Sequence, residues 1–344
     1  MTRIVHCVTS EPEMLGKKLR SIRAEGRILI LTHDNPDPDA LAGAWGLRRI
    51  LKKLFERDAV IAYGGLIGRA ENRALVSRLG IPLQTYTPSL VRQSDTIIMI
   101  DCQPHTGNSS LPEDIDPDVV IDHHPRREST QVKQWAHIDV EAGAVSSLIT
   151  SALFELDISI PKKLATALFY AIRSETRDLG WEHTRRDQEG YLHLLPLVDF
   201  QALHRIESPP LSAEYFHSVK QALDRSRIRK DMVVCPLSRV PYPELPAEIA
   251  DFLIRREGIE VAFVAGLYRE DLFISMRSRR KDLDLSRVIR VLLEGLGTGG
   301  GHERMAGGRV PGAAARGYRH LEAELTGRVF RLFRLSRSPE TPFF

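Results

Sequence analysis

Four short apolar runs, separated by longer stretches of helical spacing, constrain the first half of this chain more than any other feature. They occupy residues 28–32, 59–63, 96–100 and 119–121. Each is rich in β-branched residues and bounded by polar or turn-forming ones, which is how a strand buried on both faces of a parallel sheet reads. Between the first two runs, Leu41, Ala44, Leu47, Leu51 and Leu54 recur at helical spacing. Strands alternating with helices predict an α/β fold with a doubly wound parallel sheet.

The second half repeats the class on a smaller scale. The pattern is helical from about residue 157 to 181, most clearly over 163–172, and a charged helical stretch fills 211–230 after Pro209-Pro210. Strand candidates follow at 232–235, 261–264 and 272–276, and then a glycine-rich stretch at 297–302. The organisation expected is a first domain over 1–205, a helical linker over 206–230 and a smaller α/β domain over 231–335. A tail that frays from Gly327 onward closes the chain at 336–344.

Composition narrows the setting. The 344 residues suffice for two separate cores, and no run approaches the roughly 18–20 apolar residues of a membrane span. The N-terminus has no apolar stretch leading to a small-residue cleavage site, so secretion is not expected. Cys7, Cys102 and Cys235 are too scattered for a disulfide framework or a thiolate metal site. A cytoplasmic protein fits this best. Charge divides unevenly: residues 1–199 carry 24 basic against 27 acidic side chains, and residues 200–344 carry 24 against 18. An acidic half suits divalent cations and a basic half suits an anionic substrate.

Three of the first four strand candidates end in metal-ligand types. His33, Asp34, Asp37 and Asp39 follow the first, Asp101-Cys102 the third, and Asp122-His123-His124 the fourth. Ligands of an open α/β sheet gather at the carboxyl ends of its strands, so these clusters should meet in space. Carboxylates and imidazoles without thiolates suit Mn(II) or Mg(II) better than structural zinc. Packing several carboxylates together is costly without cations, because like charges push each other's pKa upward.

These residues resemble the signatures of the DHH-family phosphoesterases. His33-x-x-x-Asp37-x-Asp39, Asp101 and Asp122-His123-His124 match the first three motifs, and Gly299-Gly-Gly-His302 with Met305-Ala-Gly307 resembles the glycine-rich motif of the DHH-associated domain. The resemblance spans about residues 20–325. It implies two divalent metal ions, Mn(II) or Mg(II), with His33 and Asp37 on one, Asp39 and His123 on the other, and Asp101 bridging them. His124 would stand beside the scissile phosphate, polarising it or protonating the leaving oxygen, with Asp122 orienting its loop. Two positions depart from the pattern. Pro38 replaces the usual glycine, and the last ligand, normally Asp followed by Thr, aligns with Glu175-Thr176, leaving Glu175 or Asp178 to complete the metal set.

For the second domain the resemblance implies a substrate lobe, with Arg277, Ser278, Gly300, Gly301 and His302 as contacts. His105, His137, His183, His193, His204 and His217 read as ordinary surface or packing residues. The activity implied is hydrolysis of short oligoribonucleotides to mononucleotides, together with removal of the 3′-phosphate from adenosine 3′,5′-bisphosphate, through a hydroxide bridging two metals. Hydrolysis of cyclic or linear dinucleotide messengers is the sibling reading. A RecJ-type exonuclease would be expected to carry a further binding domain, and a pyrophosphatase should not need the glycine-histidine lobe. The non-enzymatic alternative is a nucleotide-binding regulator that keeps the fold, favoured by the Glu175 departure. Partners implied are a short RNA or nucleotide and, from the resemblance alone, a second copy of the chain; no membrane association is expected.

Overall fold

The computed structural model describes residues 14–128, 130–180, 183–301 and 303–344. The chain divides into two compact units between Pro209 and Pro210, with Gly68–Ala70 grouped in the second. The first unit contains α1 (Leu15–Arg20), β1 (Ile28–Leu31), α2 (Pro38–Phe55), β2 (Ala59–Tyr63), α3 (Ala70–Leu79), β3 (Leu83–Thr85) and α4 (Pro88–Arg92). It continues through β4 (Thr96–Ile100), β5 (Val119–Asp122), β6 (Trp135–Ile138), α5 (Val145–Glu155), α6 (Lys162–Thr176), α7 (Arg185–Leu194) and α8 (Phe200–Glu207).

Its six strands are all parallel, in the order β3-β2-β1-β4-β5-β6. This is the doubly wound sheet that the apolar runs predicted, and the period of two explains both layers. Ile28 and Ile30 of β1 point into one core with α2, α5 and α6, while Leu29 and Leu31 enter a second with Val91, Ile97 and Met99. The chain winds outward in one direction after β1 and in the other after β4. The crevice at that reversal, outside the carboxyl ends of β1 and β4, is where such sheets place ligands. Strands β3 and β6 were not foreseen. Both lie at sheet edges and are largely half-exposed or exposed, so neither needs the apolar run that marks a central strand.

The second unit contains α9 (Ala213–Arg225), β7 (Arg227–Arg229), β8 (Met232–Arg239), α10 (Leu245–Leu253), β9 (Val261–Tyr268), β10 (Asp271–Ser278), α11 (Leu285–Leu293), β11 (Thr298–Gly301), β12 (Met305–Val310), α12 (Tyr318–Leu332) and β13 (Thr341–Pro342). Its mixed sheet runs β11-β12-β10-β9-β8-β7-β13, with only β8 and β9 parallel. Two expectations need correction here. The charged stretch over 211–230 is helical only as far as Arg225, because residues 227–229 form a strand paired with β8. Nor does the chain fray from Gly327. Helix α12 continues through it, β13 pairs with β7, and Phe343 is buried against Ile228, Val233 and Cys235. The Arg229 guanidinium, stacked 4.0 Å from the Phe330 ring centre and paired with Glu340, fastens the same segment. Among the described residues no helix is long and apolar enough to cross a membrane.

Candidate metal centre

Every side chain in this cluster but Glu175 is delivered by the end of a strand or the start of a helix. His33 follows β1, and its Nδ1 donates to the Asp34 carbonyl oxygen at 2.9 Å. That bond fixes the tautomer and turns Nε2 toward Asp37 Oδ2 at 3.8 Å and Asp101 Oδ2 at 3.5 Å. Asp37 is also the N-cap of α2. Its Oδ1 accepts from the backbone N–H groups of Asp39 and Ala40, and Pro38 occupies the first helical turn. The proline that replaces the usual glycine therefore fits: its fixed φ suits a helix start, and its missing N–H is not needed there.

His123 mirrors His33. Its Nδ1 donates to the Ala142 carbonyl oxygen at 3.0 Å, which aims Nε2 at Asp101 Oδ1 (3.4 Å) and Asp39 Oδ2 (3.8 Å). Asp101 leaves β4 in the left-handed region, at φ 58°, a conformation that aspartate tolerates better than most residues and that turns its carboxyl into the crevice. Its two oxygens thus face different imidazoles. Asp39 is buried, and both its oxygens accept backbone N–H groups at the start of α5, from Val145 at 2.7 Å and Ser146 at 2.8 Å.

Asp122 is spent on its neighbours. Oδ1 accepts from the backbone of His123 and His124 and from His124 Nδ1 at 2.8 Å. Oδ2 accepts from Gln103 Nε2 at 2.6 Å. Gln103, which nothing in the sequence marked, is 3% exposed. Its amide also donates to the carbonyls of His124 and Pro125, and its oxygen accepts from the Arg127 backbone and the Thr130 hydroxyl. It clamps the whole 122–127 turn. An ordinary glutamine two residues after an aspartate carries no local signal of that role.

Electrostatics mark the crevice as a place for positive charge. Burial, reinforced by the Asp101 carboxylate, pushes Asp39 up to about 7. Burial and the carboxylates of Asp37 and Asp39 push Glu175 up to about 8. Burial pulls His33 and His123 down, but Asp101, together with Asp37 for the first ring and Asp39 for the second, outweighs it and raises both well above the ordinary value. Burial tends to raise Asp37, yet His33 holds it below the usual carboxylate range. In effect, protons on the imidazoles and carboxyls balance a cluster of buried anions.

Those residues fit divalent cations. Asp101 Oδ1 is buried without a hydrogen-bond partner among the described residues, its nearby imidazole nitrogens facing it outside hydrogen-bond geometry. An orphaned buried anion is costly unless something coordinates it. Among the described residues, His33, Asp37 and Asp101 bring one donor atom each within 4.8 Å of one another, and so do Asp101, His123 and His124. The sets share Asp101. Glu175, in the last turn of α6, lies within the field of Asp37, Asp39, His123 and Asp101. Asp178 is instead 63% exposed and paired with Arg173, pointing away from this role.

The expected substrate contacts of the second unit are placed differently from the metal ligands. Arg277 already grips Asp251 through Nε at 2.7 Å and Nη2 at 3.2 Å, and its Nη1 donates to Ser275 and to the Met276 carbonyl. The Ser278 hydroxyl is buried and accepts from the Arg280 backbone. Gly300 and Gly301 lie not in a loop but on β11, the edge strand of the sheet. His302 falls outside the described residues, as do Cys7 and Trp181.

Residues 27–172 match the DHH family N-terminal domain, and residues 243–323 match the DHHA1 domain. The uncharacterized protein MJ1633 of Methanocaldococcus jannaschii is 34% identical over 286 residues, covering 83% of this chain and 58% of that protein. A protein of Streptococcus equi subsp. zooepidemicus named "probable manganese-dependent inorganic pyrophosphatase" is 25% identical over 153 residues, 44% of this chain and 48% of its own. The chain thus spans about half to three-fifths of the length of these two relatives. The crystal structure of an exopolyphosphatase-related protein from Bacteroides fragilis shares the fold, with a TM-score of 0.69 at 17% identity over 91% of this chain and 95% of that one. The chain thus carries a DHH family N-terminal domain followed by a DHHA1 domain, in the order the motifs predicted.

Proposed function

We propose that this chain is a divalent-metal-dependent phosphoesterase that hydrolyses short oligoribonucleotides to mononucleotides and removes the 3′-phosphate of adenosine 3′,5′-bisphosphate. One observation carries the reading: Asp101 faces two separate imidazoles, one with each carboxylate oxygen. His33 and Asp37 would hold one cation, His123 and Asp39 a second, with Asp101 shared and Glu175 completing the set. When bound, a pair of such ions supplies positive charge to the phosphoryl oxygens and acidifies water.

The chain's own groups would do the rest. Asp122 fixes the tautomer of His124 through Nδ1, so that Nε2 is the atom that would hand a proton to the leaving oxygen. His124 is 38% exposed, as a group meeting substrate must be, whereas His123 is 4% exposed. The second unit is the basic half of the chain, and Arg279 and Lys281, both exposed, lie beside the end of β10. Arg277, Ser278, Gly300, Gly301 and His302 remain the proposed contacts, with Arg277 exchanging Asp251 for a phosphate.

The test is release of phosphate and mononucleotide from a 5′-labelled RNA dinucleotide and from adenosine 3′,5′-bisphosphate, with Mn(II) and with chelator. Release that needs metal and falls at least about 10²-fold in Asp101→Ala and Glu175→Ala is expected. Nucleotide binding without turnover under any metal would replace the enzyme by a regulator. The named activity of the streptococcal relative favours a second reading, hydrolysis of inorganic pyrophosphate, which adding pyrophosphate as a third substrate to the same assay separates.

A further inference from the structure

The loop between β6 and α5 and the first turn of α5 contribute no side chain to the proposed ligands, yet their backbone holds two of them. The Ala142 carbonyl receives the His123 Nδ1 proton, and the N–H groups of Val145 and Ser146 hold the Asp39 carboxylate. What fixes this loop is the start of α7. Asp187, the third residue of that helix, is fully buried. Its Oδ2 accepts from the Gly143 N–H at 3.0 Å, across the chain, and from the backbone and hydroxyl of Thr184 at 2.7 and 2.8 Å. The preceding residue, Arg186, pairs with Asp139 at the other end of the same loop. Asp139 in turn accepts from Glu141, and its carbonyl oxygen accepts from the Ala142 N–H.

A helix cap does not by itself require this arrangement. A capping box is satisfied within its own four residues, and the bond to Gly143 reaches 44 residues away. Asp187 Oδ1, moreover, is buried with no hydrogen-bond partner among the described residues. An orphaned oxygen of that kind costs stability, and its retention points to a role other than stability.

We propose that Asp187 is a positioning residue for the metal centre, acting through Gly143 and Ala142 on His123 and through the start of α5 on Asp39. It rests on the metal reading above. Groups that orient metal ligands typically change metal affinity about 10–100-fold when removed.

The experiment is Mn(II) titration by calorimetry, with free Mn(II) followed by electron paramagnetic resonance, alongside thermal unfolding of each metal-free variant. Asp187→Ala should weaken Mn(II) binding about tenfold or more. Asp187→Asn keeps an oxygen acceptor for Gly143 and should recover most of that loss. Asp199→Ala, which removes the α8 cap far from this loop, provides a destabilised control that should bind Mn(II) like the parent. Unchanged affinity in Asp187→Ala, or the same loss in the Asp199 variant at equal destabilisation, overturns the proposal and leaves the metal reading standing. A parent protein that binds no Mn(II) overturns both.

Discussion

At the scale of single residues, the centre depends on side chains that each do two things. Asp37 caps α2 with one oxygen and faces His33 with the other. Asp101 divides its oxygens between His33 and His123. Gln103 ties Asp122 to the carbonyls that follow it. Replacing Gln103 by leucine keeps the volume and removes every one of these bonds. The His124 ring would lose its fixed orientation and buried polar groups would lose their partner, so kcat should drop about 10–100-fold and the unfolding temperature should fall as well. A kcat within twofold of the parent would show that the 122–127 turn holds itself. Of these residues the ligand types were legible from the sequence, because they follow apolar runs. Gln103 and Asp187 were not, because their partners lie 19 and 44 residues away and only the fold brings them together.

At the scale of elements, the glycine-rich stretch is the one whose role the chain order conceals. As a sequence it reads as a loop around an anion. In the structure most of it is strand β11, and Gly297, Gly299 and Gly301 are required by close approach. A Cβ on Gly299 would stand 2.9 Å from Ile289, and one on Gly297 would stand 2.1 Å from the Arg309 carbonyl oxygen. Gly301 is the most demanding, with φ at +143° and a Cβ position 2.2 Å from the Met305 carbonyl oxygen. Gly301→Ala should destabilise the second unit by about 1–3 kcal/mol. Hydrogen exchange would register this as faster exchange in β11 and β12 while β1 and β4 stay protected. Equal loss of protection in both units would contradict a local cause.

At the scale of the whole molecule, the buried anions make stability depend on pH and on metal together. Asp39 at about 7 and Glu175 at about 8 lie above their ordinary values, and His33 and His123 are raised as well. A raised folded value means that the native state holds more protons than the unfolded one. The stability it contributes is complete below the unfolded value and is lost as pH rises through the folded one. Asp37 and Asp122 are lowered, so their contribution runs the other way, but it is complete above about pH 5. Metal-free protein should therefore lose stability from about pH 5 to about pH 8, by several degrees in Tm. A divalent cation held by these groups would take over the balancing charge from the protons, so added Mn(II) should raise Tm most at the alkaline end. A chelated protein whose Tm is flat or rising over that range would argue against this electrostatic account.

The amino-acid sequence by itself determined which segments must be buried strands and helices, because burial of a parallel strand demands a continuous apolar run and a helix demands its own spacing. It also determined that carboxylates and imidazoles stand where three of those runs end. The tertiary structure decided which oxygen faces which ring, that Asp39 is spent on the start of α5 as well as on the crevice, and that Glu175 rather than Asp178 feels the cluster. It also decided that Arg277 is held by Asp251 and that the glycines form an edge strand. Local sequence specifies periodicity and caps through neighbours a few residues away. Hydrogen bonds and fields inside a crevice depend on groups brought together from distant parts of the chain, and no local pattern encodes their pairing.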